Sequence, residues 1–224
     1  GTVPESPTEL KATERTTESI RWIWKDNANN ETGYQILDFN LKPDTGTINM
    51  APPPVITDLP ENSVEWTETG LIPNTKYIRS VVAYNEFGTS TSAPVSAYTF
   101  ANMPTSFVCS AKTFESLTLE WDANNNPANT KYILKRSTDG INYSELSIPD
   151  ITPPLDSFMG LTTYIDTGLQ QETTYYYLLH AVNNADGSKT NPVRLTVQTS
   201  ASSSSGPIAG KVTQSNGEPI TGVW

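Results

Sequence analysis

One histidine, one cysteine and two Asx-rich loops are the residues of this 224-residue chain whose types could do chemistry. His180 alternates with Leu179 and Ala181, so on a strand it faces away from them, toward the outer side of a sheet. A catalytic imidazole needs a nucleophile and an orienting carboxylate converging on it. No motif supplies either, and His180 reads as a surface strand residue. Cys109 has no partner for an internal disulfide, which leaves the redox compartment open. It stands 97 residues after Ala12 (109 − 12) in a repeat set out below, and it reads as a small core residue in place of that alanine. No Cys or His cluster has zinc spacing. The loop Asp26-Asn27-Ala28-Asn29-Asn30-Glu31 offers oxygens that calcium favours. Its spacing departs from the alternating-ligand calcium loop, and Asx residues also close turns on their own backbone. The turn is the simpler reading, and it holds equally for Asp122-Ala123-Asn124-Asn125-Asn126-Pro127. No catalytic, metal or cofactor-binding residue is assigned, and no cofactor is called for.

The elements that carry these residues come in two copies. Ser19-Ile20-Arg21-Trp22-Ile23-Trp24 recurs as Ser116-Leu117-Thr118-Leu119-Glu120-Trp121, and Thr75-Lys76-Tyr77 recurs as Thr173-Thr174-Tyr175. The offset is 97 residues at the tryptophan (121 − 24) and 98 at the tyrosine (175 − 77). A period of that length is a whole domain, too long for a solenoid turn or a propeller blade. Seventeen Pro, 13 Gly and many Thr, Ser and Asn, without a long 3.6-residue apolar period, point to an all-β chain with many turns.

Alternation of apolar and polar residues places the strands. In the first copy the inward sets are Ile20, Trp22, Trp24; Tyr34, Ile36; Tyr77, Val81, Ala83; and Val95, Ala97, Thr99. In the second they are Leu117, Leu119, Trp121; Tyr132, Leu134; Tyr175, Tyr177, Leu179, Ala181; and Val193, Leu195, Val197. Asp139-Gly140 and Asp186-Gly187 mark hairpins, because primed turns need positive φ. Pro52-Pro53-Pro54 and Pro153-Pro154 mark loops or sheet edges. Arg79 is the one conflict: its parity is inward, where the second copy has Tyr177. A buried, unpaired guanidinium is costly, so Arg79 is expected to pair with Glu31 or Asp38, or else to pack its stem inward and leave its head in solvent.

Net charge is −10, from 14 Lys and Arg against 24 Asp and Glu. That argues against nucleic acid and against an anionic membrane surface as partners. No run of about 18 apolar residues is available for membrane insertion. No signal peptide is visible before Gly1, and the chain reads as a mature or excised fragment. The 21 aromatics (5 Trp, 10 Tyr, 6 Phe) are mostly accounted for as core. Tyr84 and Tyr176 fall on outer faces, too few for a sugar-stacking platform.

The landmarks together resemble the fibronectin type III module in its bacterial form. Trp24 and Trp121 look like the family's core tryptophan. Leu71-Ile72-Pro73-Asn74-Thr75-Lys76-Tyr77 looks like the Leu-x-Pro-x-Thr-x-Tyr entry to the sixth strand. The resemblance makes Tyr77 and Tyr175 corner residues whose hydroxyls tie back to upstream backbone. The second copy keeps Leu169, Thr173 and Tyr175 but has Gln171 in place of the proline. The loop Asp26–Tyr34 is similar to one that follows the tryptophan in many bacterial members. No Arg-Gly-Asp tripeptide is present, so the integrin-binding loop of some animal relatives is not supported. The tail from Gly210 to Val223 is similar to the start of a carboxypeptidase-regulatory-like β-sandwich.

The expected architecture is therefore all-β, with two tandem seven-stranded antiparallel β-sandwiches followed by a β-hairpin stub. Module 1 is expected over residues 1–101, module 2 over 102–199, a Ser-rich linker over 200–206 and a partial third β domain over 207–224. The joint Ala101-Asn102-Met103-Pro104 is short and carries a proline, which predicts a semi-rigid elbow. The structural core is expected on Trp24, Tyr77, Trp121 and Tyr175, with an ion pair between Glu31 and Arg79. The resemblance implies a non-catalytic, monomeric spacer in a larger exported or cell-surface bacterial protein. Its partners would be neighbouring domains of the same chain. Two alternatives stay open: an adhesion module for a protein or polysaccharide ligand, and an accessory segment of a secreted glycoside hydrolase or protease.

Overall fold

The computed structural model describes residues 1–40, 53–148 and 161–202. Module 1 contains β1 (Thr8–Arg15), β2 (Ser19–Lys25), β3 (Gly33–Asp38), β4 (Val55–Pro60), β5 (Glu65–Thr69), β6 (Lys76–Asn85), β7 (Gly88–Thr91) and β8 (Val95–Tyr98). One sheet runs β1-β2-β5; the other runs β4-β3-β6-β7, with β8 also on β6. Module 2 contains β9 (Thr105–Lys112), β10 (Ser116–Asp122), β11 (Tyr132–Ser137), β12 (Ser144–Leu146), β13 (Leu161–Thr167), β14 (Thr174–Ala181) and β15 (Val193–Gln198). Its sheets run β13-β10-β9 and β12-β11-β14-β15. Every described strand pair is antiparallel.

Among the described residues, module 2 has the expected seven strands. Module 1 has eight segments there because its last strand is broken in two. Pro94, at the break, has no N–H for the ladder. Ser92 bridges the gap: its N–H donates to the Val81 carbonyl at 2.8 Å, and its hydroxyl accepts from the Val81 N–H at 2.9 Å.

Burial follows the alternation. Ile20, Trp22 and Trp24 on β2 are buried while their neighbours are partly exposed, and Leu117, Leu119 and Trp121 do the same on β10. Each module closes on its own apolar core, as two-layer packing requires. Trp24 and Trp121 lie inside these cores with Tyr175, and Tyr77 packs partly buried against the first.

Both tyrosine corners form. The Ile72 N–H donates to the Tyr77 hydroxyl at 2.8 Å, and the Gln170 N–H donates to the Tyr175 hydroxyl at 2.8 Å. Replacing the proline by Gln171 leaves this tie unchanged. A second latch recurs beside it. The Thr99 hydroxyl donates to the Ile72 carbonyl and accepts from the Thr75 N–H, and Thr199 does the same with Gln170 and Thr173. Gly140 and Gly187 take the positive φ that their turns demand. The first strand of each module also carries a bulge, with positive φ at Glu9 and Ser106. These are non-glycine residues, and no turn residue announces them.

Pro52, Pro153-Pro154, most of the Ser-rich linker and the proposed third-domain stub at 207–224 lie outside the described residues.

Candidate functional site

Two kinds of polar constellation stand out from the cores: a cluster repeated inside each sandwich, and a second kind between the modules. In module 1, Arg79 does point inward and is buried. Its Nε and Nη2 grip the Glu68 carboxylate, with Nη2 to Oε1 at 2.6 Å and Nε to Oε2 at 3.0 Å. Nη1 donates to Asp38 Oδ1 at 2.6 Å, to the Ile78 carbonyl at 3.0 Å and to Asn40 Oδ1 at 3.1 Å. The Trp22 indole N–H adds a bond to Glu68 Oε2 at 3.1 Å. The Tyr77 ring lies 5.1 Å from the guanidinium carbon. Desolvating a charge this far is tolerable because every guanidinium nitrogen has an acceptor and the main pair is bidentate.

The expected pairing of Arg79 is thus half right. Asp38 is a partner; Glu31 is not. Arg79 stands opposite Asp38 at the end of β3, whereas Glu31 precedes its start and accepts from the Asn62 N–H. Seven residues of near-extended chain at about 3.4 Å each separate the two acids. The head does not reach solvent either. Glu68, which sequence reasoning passed over, is the dominant partner. Its signal was parity: it sits opposite Ile20 on the inward face of β5.

The same three positions form the cluster in module 2. Asp38, Glu68 and Arg79 correspond to Arg136, Asp166 and Tyr177, each 98 residues on (136 − 38, 166 − 68, 177 − 79). Arg136 Nη1 bonds Asp166 Oδ1 at 2.7 Å, and the Tyr177 hydroxyl donates to Asp166 Oδ2 at 2.6 Å. The Tyr175 ring lies 5.6 Å from this guanidinium carbon. The buried carboxylate keeps its place while the cation moves from the β6 position to the β3 position. Burial, then the Asp166 bond, pushes the Tyr177 phenol well above its ordinary range.

The second constellation is the joint, built almost wholly from asparagines. Asn74 belongs to the corner of module 1 and is 1% exposed. Its Nδ2 donates to Thr130 Oγ1 at 2.9 Å and to the Val182 carbonyl at 3.1 Å. Its Oδ1 accepts from the Asn184 N–H at 2.7 Å, and its carbonyl accepts from Asn184 Nδ2 at 3.1 Å. The linker is held as closely. The Ala101 N–H donates to Asn183 Oδ1 at 2.6 Å. Asn102 and Asn126 exchange two bonds, N–H to Oδ1 at 2.8 Å and Nδ2 to carbonyl at 2.8 Å. Asn124 Nδ2 reaches the Met103 carbonyl at 3.0 Å. Arg15 of module 1 lies over the Phe100 ring at 4.9 Å. Asp186 of module 2 is held below the usual carboxylate range, by Ser188 first and with a smaller part from the Arg15 charge.

Two of the oxygens weighed as calcium ligands are used locally. Asp26 Oδ1 accepts from the Ala28 N–H and the Tyr34 hydroxyl, and Asp122 Oδ1 accepts from the Asn124 N–H. Asn27 and Asn30 hold the carbonyls of Ser6 and Thr2. Cys109 is half-buried against the second core, opposite Leu119, as Ala12 is opposite Trp22. His180 is partly exposed, with Nδ1 2.9 Å from the Thr190 carbonyl oxygen.

One position carries a visible backbone cost. Asn74 has φ of 50°, and Glu172, 98 residues on (172 − 74), has φ of 48°. Asparagine takes this left-handed region at lower cost than glutamate. Glu172→Asn is expected to raise the stability of module 2 by about 0.5–1 kcal/mol, read as a higher urea midpoint with an unchanged slope.

Residues 5–98 match the family model for the fibronectin type III domain. By that match module 1 is similar to a fibronectin type III domain, and module 2 repeats its fold. A solved structure of a two fibronectin type-III domain segment from chicken tenascin is similar to the chain. The TM-score is 0.62 at 16% identity, over 86% of this chain and 99% of that one. A segment of chicken CNTN1 covering FN1-FN3 aligns with a TM-score of 0.38 at 18% identity, over 88% of this chain and 68% of that one. A comparison with curated proteins returns no match.

Proposed function

We propose that the two modules act as a monomeric, non-catalytic spacer of fixed geometry within a larger exported or cell-surface multi-domain bacterial protein. Fibronectin type III modules are structural or binding units of multi-domain proteins, and fold alone goes no further than that. The observation that carries the reading is the buried Asn74 side chain, bonded at both ends of its amide to module 2. A tether between independent beads would leave that corner in water. Ala101 and Asn102 are bonded to module 2 as well, so the linker has lost the freedom that a flexible joint needs.

The experiment is ¹⁵N relaxation on the whole chain. Modules 1 and 2 are expected to report one common rotational correlation time, that of a body of about 200 residues. Two separate times, each near that of a lone 100-residue domain, would remove the basis for a spacer of fixed geometry.

A further inference from the structure

We infer that the left-handed corner residue of a module decides whether that module is locked to the next, and that only the first module of this pair carries the locking residue. This rests on the rigid-spacer reading and names the part that produces it. Among the described residues, Asn74 is the only residue of module 1 ahead of the linker that hydrogen-bonds module 2. The socket that receives it has a fixed polarity. Val182 offers a carbonyl oxygen, Thr130 a hydroxyl, and Asn184 a backbone N–H together with a side-chain donor. A side-chain amide answers both kinds of group at once, because it carries two N–H donors and a carbonyl acceptor.

Module 2 has the same corner in the same backbone conformation, but Glu172 stands there, and it is exposed. A carboxylate has no donor for a carbonyl like that of Val182 and would bring an uncompensated charge into a closed socket. Glutamate also extends one methylene further than asparagine. The trailing corner of module 2 therefore does not fit a socket of this design. The partner that the Asn74 corner fits is the leading end of a module of this same type, presenting a free carbonyl, a threonine hydroxyl and an unpaired N–H. Module 1's own leading end is engaged differently: Asn85 and Asn30 both bond the Thr2 carbonyl of its N-terminal segment.

The deciding variant is Asn74→Glu, which gives the first joint the corner residue that module 2 already folds with. The expected result is two diverging correlation times by ¹⁵N relaxation. The Asn184 amide should also exchange with solvent about ten-fold faster or more, once its acceptor is gone. Chemical shifts in both cores should stay in place. Glu172→Asn is the control, expected to leave the tumbling of the pair unchanged. Common tumbling that persists in Asn74→Glu overturns the inference while leaving the spacer reading intact. Separate tumbling in the unaltered chain overturns the spacer reading itself. If Asn74→Glu does not fold, Asn74→Asp tests the same point: it keeps the acceptor for Asn184 and loses both donors. A joint that stays rigid in that variant also overturns the inference.

Discussion

Arg79→Met is expected to destabilise module 1 by about 3–5 kcal/mol, the usual cost of removing one partner from a buried pair. The loss arises from the carboxylates left behind more than from the bonds removed. Glu68 would keep only the Trp22 indole N–H as a side-chain donor, in an interior that solvates charge poorly. Module 2 supplies a repair. The double variant Asp38→Arg with Arg79→Tyr installs the Arg136–Asp166–Tyr177 arrangement around Glu68. It is expected to recover most of what Arg79→Tyr alone loses, so the cycle should show a large favourable coupling. Urea unfolding of the four proteins, following the module 1 transition, reads it directly. Arg79→Met costing less than about 1 kcal/mol, or a cycle that is simply additive, would show that the cluster is incidental to stability.

Alkaline unfolding is the second large effect. The Tyr34 and Tyr177 hydroxyls are buried and donate to the Asp26 and Asp166 carboxylates. Burial first, and then the acceptor carboxylate, raise both phenols well above the ordinary tyrosine range. A group whose folded pKa is raised stabilises fully below its unfolded pKa, near 10, and that contribution is lost as pH rises beyond it. Above about pH 10 the unfolded chain releases the proton and the folded one keeps it. Stability should then fall by about 1.4 kcal/mol per pH unit for each such tyrosine, one in each module. Urea midpoints at pH 9, 10 and 11 measure the slope. Tyr177→Phe should make it shallower for module 2, where burial also raises the Tyr132 and Tyr164 phenols, while lowering stability at pH 7. A slope that Tyr177→Phe leaves unaltered would assign the alkaline loss to other groups.

Most of the fold could be read from the residues because it rests on local rules. Alternation on Ile20-Trp22-Trp24 and on Leu117-Leu119-Trp121 depends only on the two-residue period of a strand. The corners at Tyr77 and Tyr175 depend on a short run with a known shape, and Gly140 and Gly187 on the demand for positive φ. What escaped depends on which strands face each other across a core. Arg79 was rightly placed inward, yet its main partner lies on the opposite sheet, and no alternation pattern names a residue there. Glu68 and Asp166 recur at matched positions, but their neighbours exchange identities, which hides the likeness from a position-by-position reading. The asparagines read as turn formers, and some are. Asn124 shows how one residue can do both: it sits in a turn with positive φ and also bonds the linker. Only the meeting of two modules reveals the second role.

The chemistry of the joint has a consequence for how the pair answers its surroundings. Mobile ions act on net charges and leave dipoles between amides nearly untouched. The cross-strand ladder Glu14–Arg21–Glu65 on the outer face of module 1 is made of exposed charges and fades as salt rises. Asn74, Asn102, Asn124, Asn126, Asn183 and Asn184 carry no net charge at any ordinary pH. A chain of net charge −10 thus meets across its joint mainly through uncharged groups, and rising salt is expected to leave those bonds nearly unchanged.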